Sequence, residues 1–206
     1  MGYNYADNYL YASIGTPAKL VRIAADGGTT IINSFNITGS LNCGDVDDNG
    51  FYWGSASGAY WTQIDLRPTS ANFSRQVNNG TATPPYNVID YAFVPGGGDA
   101  LYGLGFDSSL GLALGQTYLL RFDRTTHIWT RETNFGQVAS SVNATANAWG
   151  AVYASDDGYL YGSENNSGEI WRFPLPGANT TAAVKISNGP KSSSNDGARC
   201  IKAANV

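Results

Sequence analysis

The sequence predicts an all-β fold, a β-propeller built from four-stranded blades. Three observations lead there. A unit of four short strands recurs four times along the 206 residues. Its strands are joined by turns rich in Asp, Asn and Gly. No stretch of useful length carries the 3.6-residue apolar period of a helix. A unit repeating every 42–59 residues is the signature of a propeller blade, whereas a sandwich of similar strand number would leave the repetition without a cause.

Each unit opens with an apolar strand, expected innermost: Gly2–Tyr5, Cys43–Val46, Val88–Val94 and Trp149–Ala154. A tight turn follows, at Asp7-Asn8, Asp47–Gly50, Pro95–Asp99 and Asp156–Gly158, with the residue types that reach positive φ in hairpins. The second strand carries the recurring aromatic: Tyr11, Trp53, Tyr102 and Tyr161. The third ends on a basic or amide residue and an apolar one: Arg22-Ile23, Gln63-Ile64, Arg121-Phe122 and Arg172-Phe173. The aromatic precedes that position by 11, 10, 19 and 11 residues, so the third unit holds an insertion of about eight residues within Gly105–Gln116. Outer strands are expected at Thr29–Ile32, Phe73–Val77, Trp129–Thr133 and Ala183–Ile186.

A fifth copy of the inner strand alone, Ala198–Ala204, ends the chain as an orphan inner strand beyond the four visible blades. Two closures follow. It replaces the weak Gly2–Tyr5 strand in a four-bladed ring, or the parent is five-bladed with outer strands of its first blade upstream of Met1. The second is favoured, with residues 1–206 read as one propeller domain. Unpaired strand edges in such an incomplete ring would invite another chain.

Composition narrows the function classes. The formal net charge is −4, with 12 Lys plus Arg against 16 Asp plus Glu, which disfavours nucleic acid and anionic membrane as partners. Thirteen Tyr, eight Phe and five Trp supply a core and exclude disorder. No run reaches the ~20 apolar residues of a membrane span. Few charges, many small polar residues and six Asn-X-Ser/Thr sequons, at Asn36, Asn72, Asn79, Asn143, Asn165 and Asn179, point to a secreted glycoprotein. In an oxidising compartment Cys43 and Cys200 would form one long-range disulfide, worth roughly 4–5 kcal/mol in the chain-entropy model. Two buried free thiols are the alternative.

The segments Gly44–Gly50, Tyr91–Asp99, Trp149–Gly158 and Gly162–Phe173, with the closing Ser192–Cys200, resemble a family of secreted fungal proteins of unknown function. The resemblance spans essentially the whole chain. It implies a propeller-like repeat domain and an extracellular setting, and it supplies no catalytic residues.

Chemistry-bearing constellations are few. Asp45-X-Asp47-X-Asn49-Gly50 has the opening spacing of a calcium loop, but Ala56 stands where the bidentate Glu belongs and Trp53 where propeller-type loops place another Asp. A polar hairpin turn is the simpler reading, and no cofactor is expected unless it is calcium. His127, the sole histidine, lacks a second imidazole and is expected on the surface. Asp45, Asp90 and Asp196 are expected near the channel mouth, with Arg199 and Lys202 offsetting their charge and Trp149 offering a stacking face. Glu164 and Asp107 are further loop carboxylates. Three functional readings follow: an extracellular protein binding a glycan, cell-wall polymer or protein through its loops; a hydrolase or lyase on polysaccharide or lactone using Asp45 and Asp90; and a structural, self-assembling protein.

Overall fold

In a computed structural model, the chain is described except for residues 35–38, 107–115, 140–147, 193 and 204–206. Among the described residues, sixteen strands form four antiparallel four-stranded sheets, arranged as a four-bladed β-propeller. Blade 1 holds β1 (Gly2–Asn4), β2 (Tyr9–Ile14), β3 (Lys19–Ile23) and β4 (Thr29–Ser34). Blade 2 holds β5 (Cys43–Val46), β6 (Phe51–Ala56), β7 (Tyr60–Asp65) and β8 (Gln76–Thr81). Blade 3 holds β9 (Asn87–Phe93), β10 (Ala100–Phe106), β11 (Gln116–Asp123) and β12 (Trp129–Gln137). Blade 4 holds β13 (Trp149–Ala154), β14 (Tyr159–Glu164), β15 (Glu169–Pro174) and β16 (Val184–Asn188).

The repeat read from the sequence is a register in space. Tyr11, Trp53, Tyr102 and Tyr161 stand directly across from Arg22, Gln63, Arg121 and Arg172. The turn before each aromatic is fastened to its ring. Tyr11 and Tyr161 donate their hydroxyls to Asp7 and Asp157 at 2.6 Å, Trp53 donates its indole N–H to Asp47 at 2.8 Å, and Tyr102 donates to the carbonyl of Gly97 at 2.9 Å. Each blade therefore buries a large aromatic while its polar tip orders the hairpin feeding it.

The three described blade-to-blade cores repeat one arrangement. Tyr11 shares a core with Tyr52 and Ile64, Trp53 with Leu101 and Phe122, and Tyr102 with Leu160 and Phe173. The inner strands pack successively, β1 on β5, β5 on β9 and β9 on β13. At the fourth junction β13 and β1 have no comparable strand packing among the described residues.

Two expectations about elements need correction. The expected terminal strand, Ala198–Ala204, is not a strand over its described residues 198–203: residues 195–200 are irregular and the chain turns where Ala203 donates to the carbonyl of Cys200 at 2.9 Å. The segment nevertheless lies where an inner strand would. Gly197 sits against Ala151 and Tyr153 of β13, and the Lys202 ammonium lies 3.9 Å from the centroid of the Tyr5 ring just beyond β1. It spans the fourth junction on the inner side without a ladder. The outer strand of blade 2 begins at Gln76 rather than Phe73, because Asp65 draws Arg67, Ser70 and their backbone into a polar knot that keeps residues 66–75 as turns. The insertion of blade 3 falls almost wholly on 107–115, outside the described residues, as does Asp107.

Candidate functional site

The inner strands bring Asp45 and Asp90 toward the channel, but as fasteners between blades. Asp45 Oδ2 accepts the backbone N–H of Phe93 on the next blade, and Asp90 Oδ2 accepts that of Val152 on the blade after, each at 2.8 Å. Both carboxyls are buried, and Asp90 Oδ1 has no hydrogen-bond partner. Burial pushes Asp45 up to about 7, against the opposing N–H groups of Phe93 and Val46. Burial likewise pushes Asp90 well above the carboxylate range; the Met1 ammonium opposes that rise and Asp196 adds to it.

Asp196 joins this group through the N-terminal amine, which it holds at 2.8 Å. Burial works against the charge on that ammonium, but Asp90, Asp196 and Asp45 outweigh it and raise its pKa. Arg199 lies near Tyr153, whose hydroxyl burial pushes up while Arg199 draws it down. Asp45, Asp90 and Asp196 thus act on one ammonium, and Arg199 stands apart from them beside Tyr153. A carboxyl poised near neutrality is a general-acid property. Here the two inner-strand carboxyls are buried, each with one oxygen on a backbone N–H of the next blade, and both lie in the field of the Met1 ammonium.

The fifth, Trp149, is corrected outright. It is fully buried, donates its indole N–H to Thr117 Oγ1 at 3.1 Å and meets Phe173 edge-on, with 5.0 Å between ring centroids. It is a core residue between blades 3 and 4, in one cluster with Val152 and Ala154, because the bulge between Trp149 and Ala151 breaks the alternation of β13 there.

The calcium reading fares no better. Asp47 Oδ1 accepts the N–H groups of Asn49 and Phe51, and Oδ2 accepts from Trp53 and from Arg124 at 2.6 Å. A guanidinium from blade 3, itself 7% exposed, stands where a cation would. Asp45 turns away to Phe93, and among the described residues no three His, Cys, Asp or Glu are arranged to hold a metal ion. The expected disulfide is also absent: Cys43 and Cys200 are free thiols, and Cys43 Sγ points to the Ile89 carbonyl at 3.0 Å. His127 is half-buried, stacked on Trp61 at 4.0 Å. Glu164 is buried and caps the following turn through the N–H groups of Asn166 and Ser167.

Of the sequons, Asn72, Asn79 and Asn179 are exposed. Asn165 is half-buried, with a buried, unpartnered Oδ1. Asn36 and Asn143 lie outside the described residues.

One concavity was not expected. A cleft of about 410 Å³ opens between blades 3 and 4, walled by loops 95–97 and 175–179 and floored by Tyr102, Asp157 and Tyr159. Gly96, Gly158 and Gly177 adopt positive φ there, which lets the backbone approach closely and leaves its polar groups facing the opening. Burial pushes Asp157 up, but the hydroxyls of Tyr161 and Ser155 and the N–H of Tyr159 outweigh it and hold the carboxylate below its ordinary range. The sequence signal for this cleft is the pairing of two turns, Pro95-Gly-Gly-Gly and Pro174-Leu-Pro-Gly, on neighbouring blades.

Solved structures with similar folds are propellers of larger span. A protein from Lactobacillus plantarum matches at 17% identity with a TM-score of 0.56, over 91% of this chain and 55% of its own. Hydrazine synthase of Kuenenia stuttgartiensis matches at 10% identity and TM-score 0.56, over 90% and 48%. The β-propeller domain of Cps50 (Swd1) from Myceliophteria thermophila matches at 13% and 0.52, over 91% and 54%. At these identities the likeness is one of fold, and the chain spans about half the length of the structures it matches. No curated protein matches the sequence. Across residues 1–202 the chain fits one family, and it belongs to the family described as a repeat of unknown function, DUF6923.

Proposed function

We propose that the protein is a non-catalytic extracellular binding domain that holds a glycan in the cleft between blades 3 and 4. The cleft itself supports this reading most: an open, polar concavity with a tyrosine floor and glycine-turn backbone around it. Sugars are recognised by such pairings, an apolar ring face stacking on an aromatic while hydroxyls meet backbone donors and acceptors. The expected acid–base pair, by contrast, is committed to interblade hydrogen bonds. Exposure of Asn72, Asn79 and Asn179 supports an extracellular setting, because those side chains can carry glycans without disturbing the fold. Titration calorimetry with soluble cell-wall oligosaccharides should show saturable binding that Tyr159→Ala weakens at least about tenfold. Equal binding by the Tyr159→Ala protein, or none by the wild type at millimolar sugar, would remove the cleft from consideration.

A further inference from the structure

We propose that the glycan cleft between blades 3 and 4 continues across the loop 175–178 into a second sugar seat at Phe135, so that its ligand is an uncharged, linear oligosaccharide rather than a single terminal sugar. The second seat rests on the glycan reading of the cleft and adds to it the length and charge of the ligand. A smaller cavity, of about 100 Å³, opens against the same loop and takes its other wall from Thr133 and Phe135 of β12 and from Thr180 and Thr181. Leu175, Pro176, Gly177 and Ala178 line both cavities. A volume of about 100 Å³ falls below the roughly 300–1,000 Å³ of self-sufficient ligand sites, so it has a use only as an extension of its neighbour.

Local structure builds both sides of this seat. Between the pairs Tyr118–Asn134 and Gln116–Gln137, β11 advances two residues and β12 three, which puts a bulge in β12 at Phe135 and Gly136. Gly136 takes up the bend with a φ of 71° and donates its N–H to Asn134 Oδ1 at 2.8 Å. Such bulges re-aim a side chain out of the regular alternation. Phe135 meets the buried Phe173 of blade 4, with 5.2 Å between ring centroids, and stays half-buried. Its ring is thus held in place and still lines the cavity. On the blade 4 side, Leu175 anchors the loop in the core shared by the two blades, and Ala178 donates to the Leu175 carbonyl at 3.1 Å. Pro176 and Gly177 stand exposed as its crest.

Two aromatic rings, Tyr159 in the cleft and Phe135 in the second cavity, suit successive units of one sugar chain. The hydroxyls of Thr133, Thr180 and Thr181 supply donors and acceptors for the sugar hydroxyls. Charge selects against a polyuronate or a sulfated chain. Among the described residues, Asp157 is the one charged side chain lining either cavity, and its oxygens accept from Tyr161, Ser155 and the Tyr159 N–H. The Arg172 guanidinium, 4.4 Å from the centroid of the Tyr159 ring, backs that ring without lining either cavity. An anionic chain would meet a carboxylate and no lining cation, on a protein of net charge −4.

Titration calorimetry with protein made without glycosylation, so that Asn179 carries no sugar, tests the extension. The probes are disaccharides and hexasaccharides of the cello, laminari and chito series, with the galacturonic hexamer as the charged comparison. In whichever series binds, the hexasaccharide should bind at least about tenfold tighter than its disaccharide. Phe135→Ala should bring the hexasaccharide down to the disaccharide's affinity, whereas Tyr159→Ala weakens both. Thr181→Arg, at an exposed position, puts a long side chain into the second cavity and should remove the same gain even if Phe135→Ala fails to fold. Equal affinity of the two lengths for the wild type overturns the second seat and leaves the cleft reading standing. So does a hexasaccharide gain that the folded variants keep, and so does a galacturonic hexamer bound as tightly as the neutral chain. Absence of binding by every probe to the wild type overturns the cleft reading and this extension with it.

Discussion

Asp45 of blade 2 accepts a 2.8 Å hydrogen bond from the backbone N–H of Phe93 in blade 3, and burial holds its carboxyl up at about 7. The folded state therefore binds a proton that the unfolded chain releases near pH 4. A raised carboxyl of this kind favours folding at low pH. Its contribution fades as pH climbs from about 4 through about 7, and Asp90, raised by burial, acts in the same direction. Asp65 and Asp123 work oppositely. Arg67 beside the first and the Thr126 N–H on the second hold them at about 2, so their contribution is lost as pH falls from about 4 through 2. Thermal melts should show highest stability near pH 4–5 and a decline toward neutrality. Asp45→Asn, which keeps an acceptor for Phe93, should flatten that decline and match or exceed the wild type at pH 8. A wild-type melting temperature constant from pH 4 to 8 would contradict the assignment.

Arg124 binds blade 3 to blade 2 by placing one guanidinium against Asp47 at 2.6 Å and Asp48 at 3.0 Å, and reaches Asp99 at 2.7 Å within its own blade. Removing it leaves Asp47, 2% exposed, without its counter-charge. Arg124→Ala should cost about 3–5 kcal/mol in urea unfolding, and Arg124→Met with Asp47→Asn together should cost less than the sum of the two alone. Millimolar calcium or chelator should leave the midpoint unmoved, because the cation in that loop is already the guanidinium. A calcium-dependent rise in the midpoint would restore the metal reading.

The contrast between what was and was not legible in the sequence has a physical cause. Cross-strand neighbours such as Tyr102 and Arg121 were readable despite 19 residues between them, because a repeat fixes register by analogy with its other copies. Cys43–Val46 and Trp149–Ala154 were readable to the residue, since fully buried inner strands are bounded sharply by turns. Asp45 and Asp90 are legible as inner-strand carboxyls, because the repeat places both on the first strand of a blade. Their chemistry was not readable, because it depends on which neighbouring N–H each oxygen meets. Trp149 was misplaced because position along the strand was taken for position relative to solvent. The cleft went unseen because it is made by two loops some 80 residues apart, and no single segment carries it.

Close packing between blades 3 and 4 should make Gly162 intolerant of a methyl group. A Cβ there would lie 2.6 Å from Leu104 Cδ1 and 2.8 Å from Trp149 Cε3, both in a buried core. Gly162→Ala should destabilise by about 1–3 kcal/mol through overpacking. Trp149→Ala, which empties the same region, should cost about 3–5 kcal/mol. Both would be read in urea unfolding with ligand binding measured on the surviving folded fraction. If Trp149→Ala left stability intact and abolished sugar binding, the tryptophan would be a ligand face after all.

Glycan occupancy tests the setting and the cleft together. Expressed through a eukaryotic secretory pathway, the protein should carry glycans at Asn72, Asn79 and Asn179, whose side chains are exposed. Asn165 should be bare in folded protein, because its Oδ1 is buried and the Ser167 hydroxyl of the same sequon is spent on Glu164 at 2.7 Å. Peptide mapping by mass spectrometry reads both statements, and full occupancy of Asn165 in folded material would contradict the packing of loop 165–168. Asn179 also lines the cleft, so a glycan attached there competes sterically with any sugar bound between blades 3 and 4. Asn179→Gln should therefore strengthen oligosaccharide binding by secreted protein and leave unchanged the binding by protein made without glycosylation. An equal change in both preparations would assign the effect to the Asn179 side chain itself rather than to its glycan.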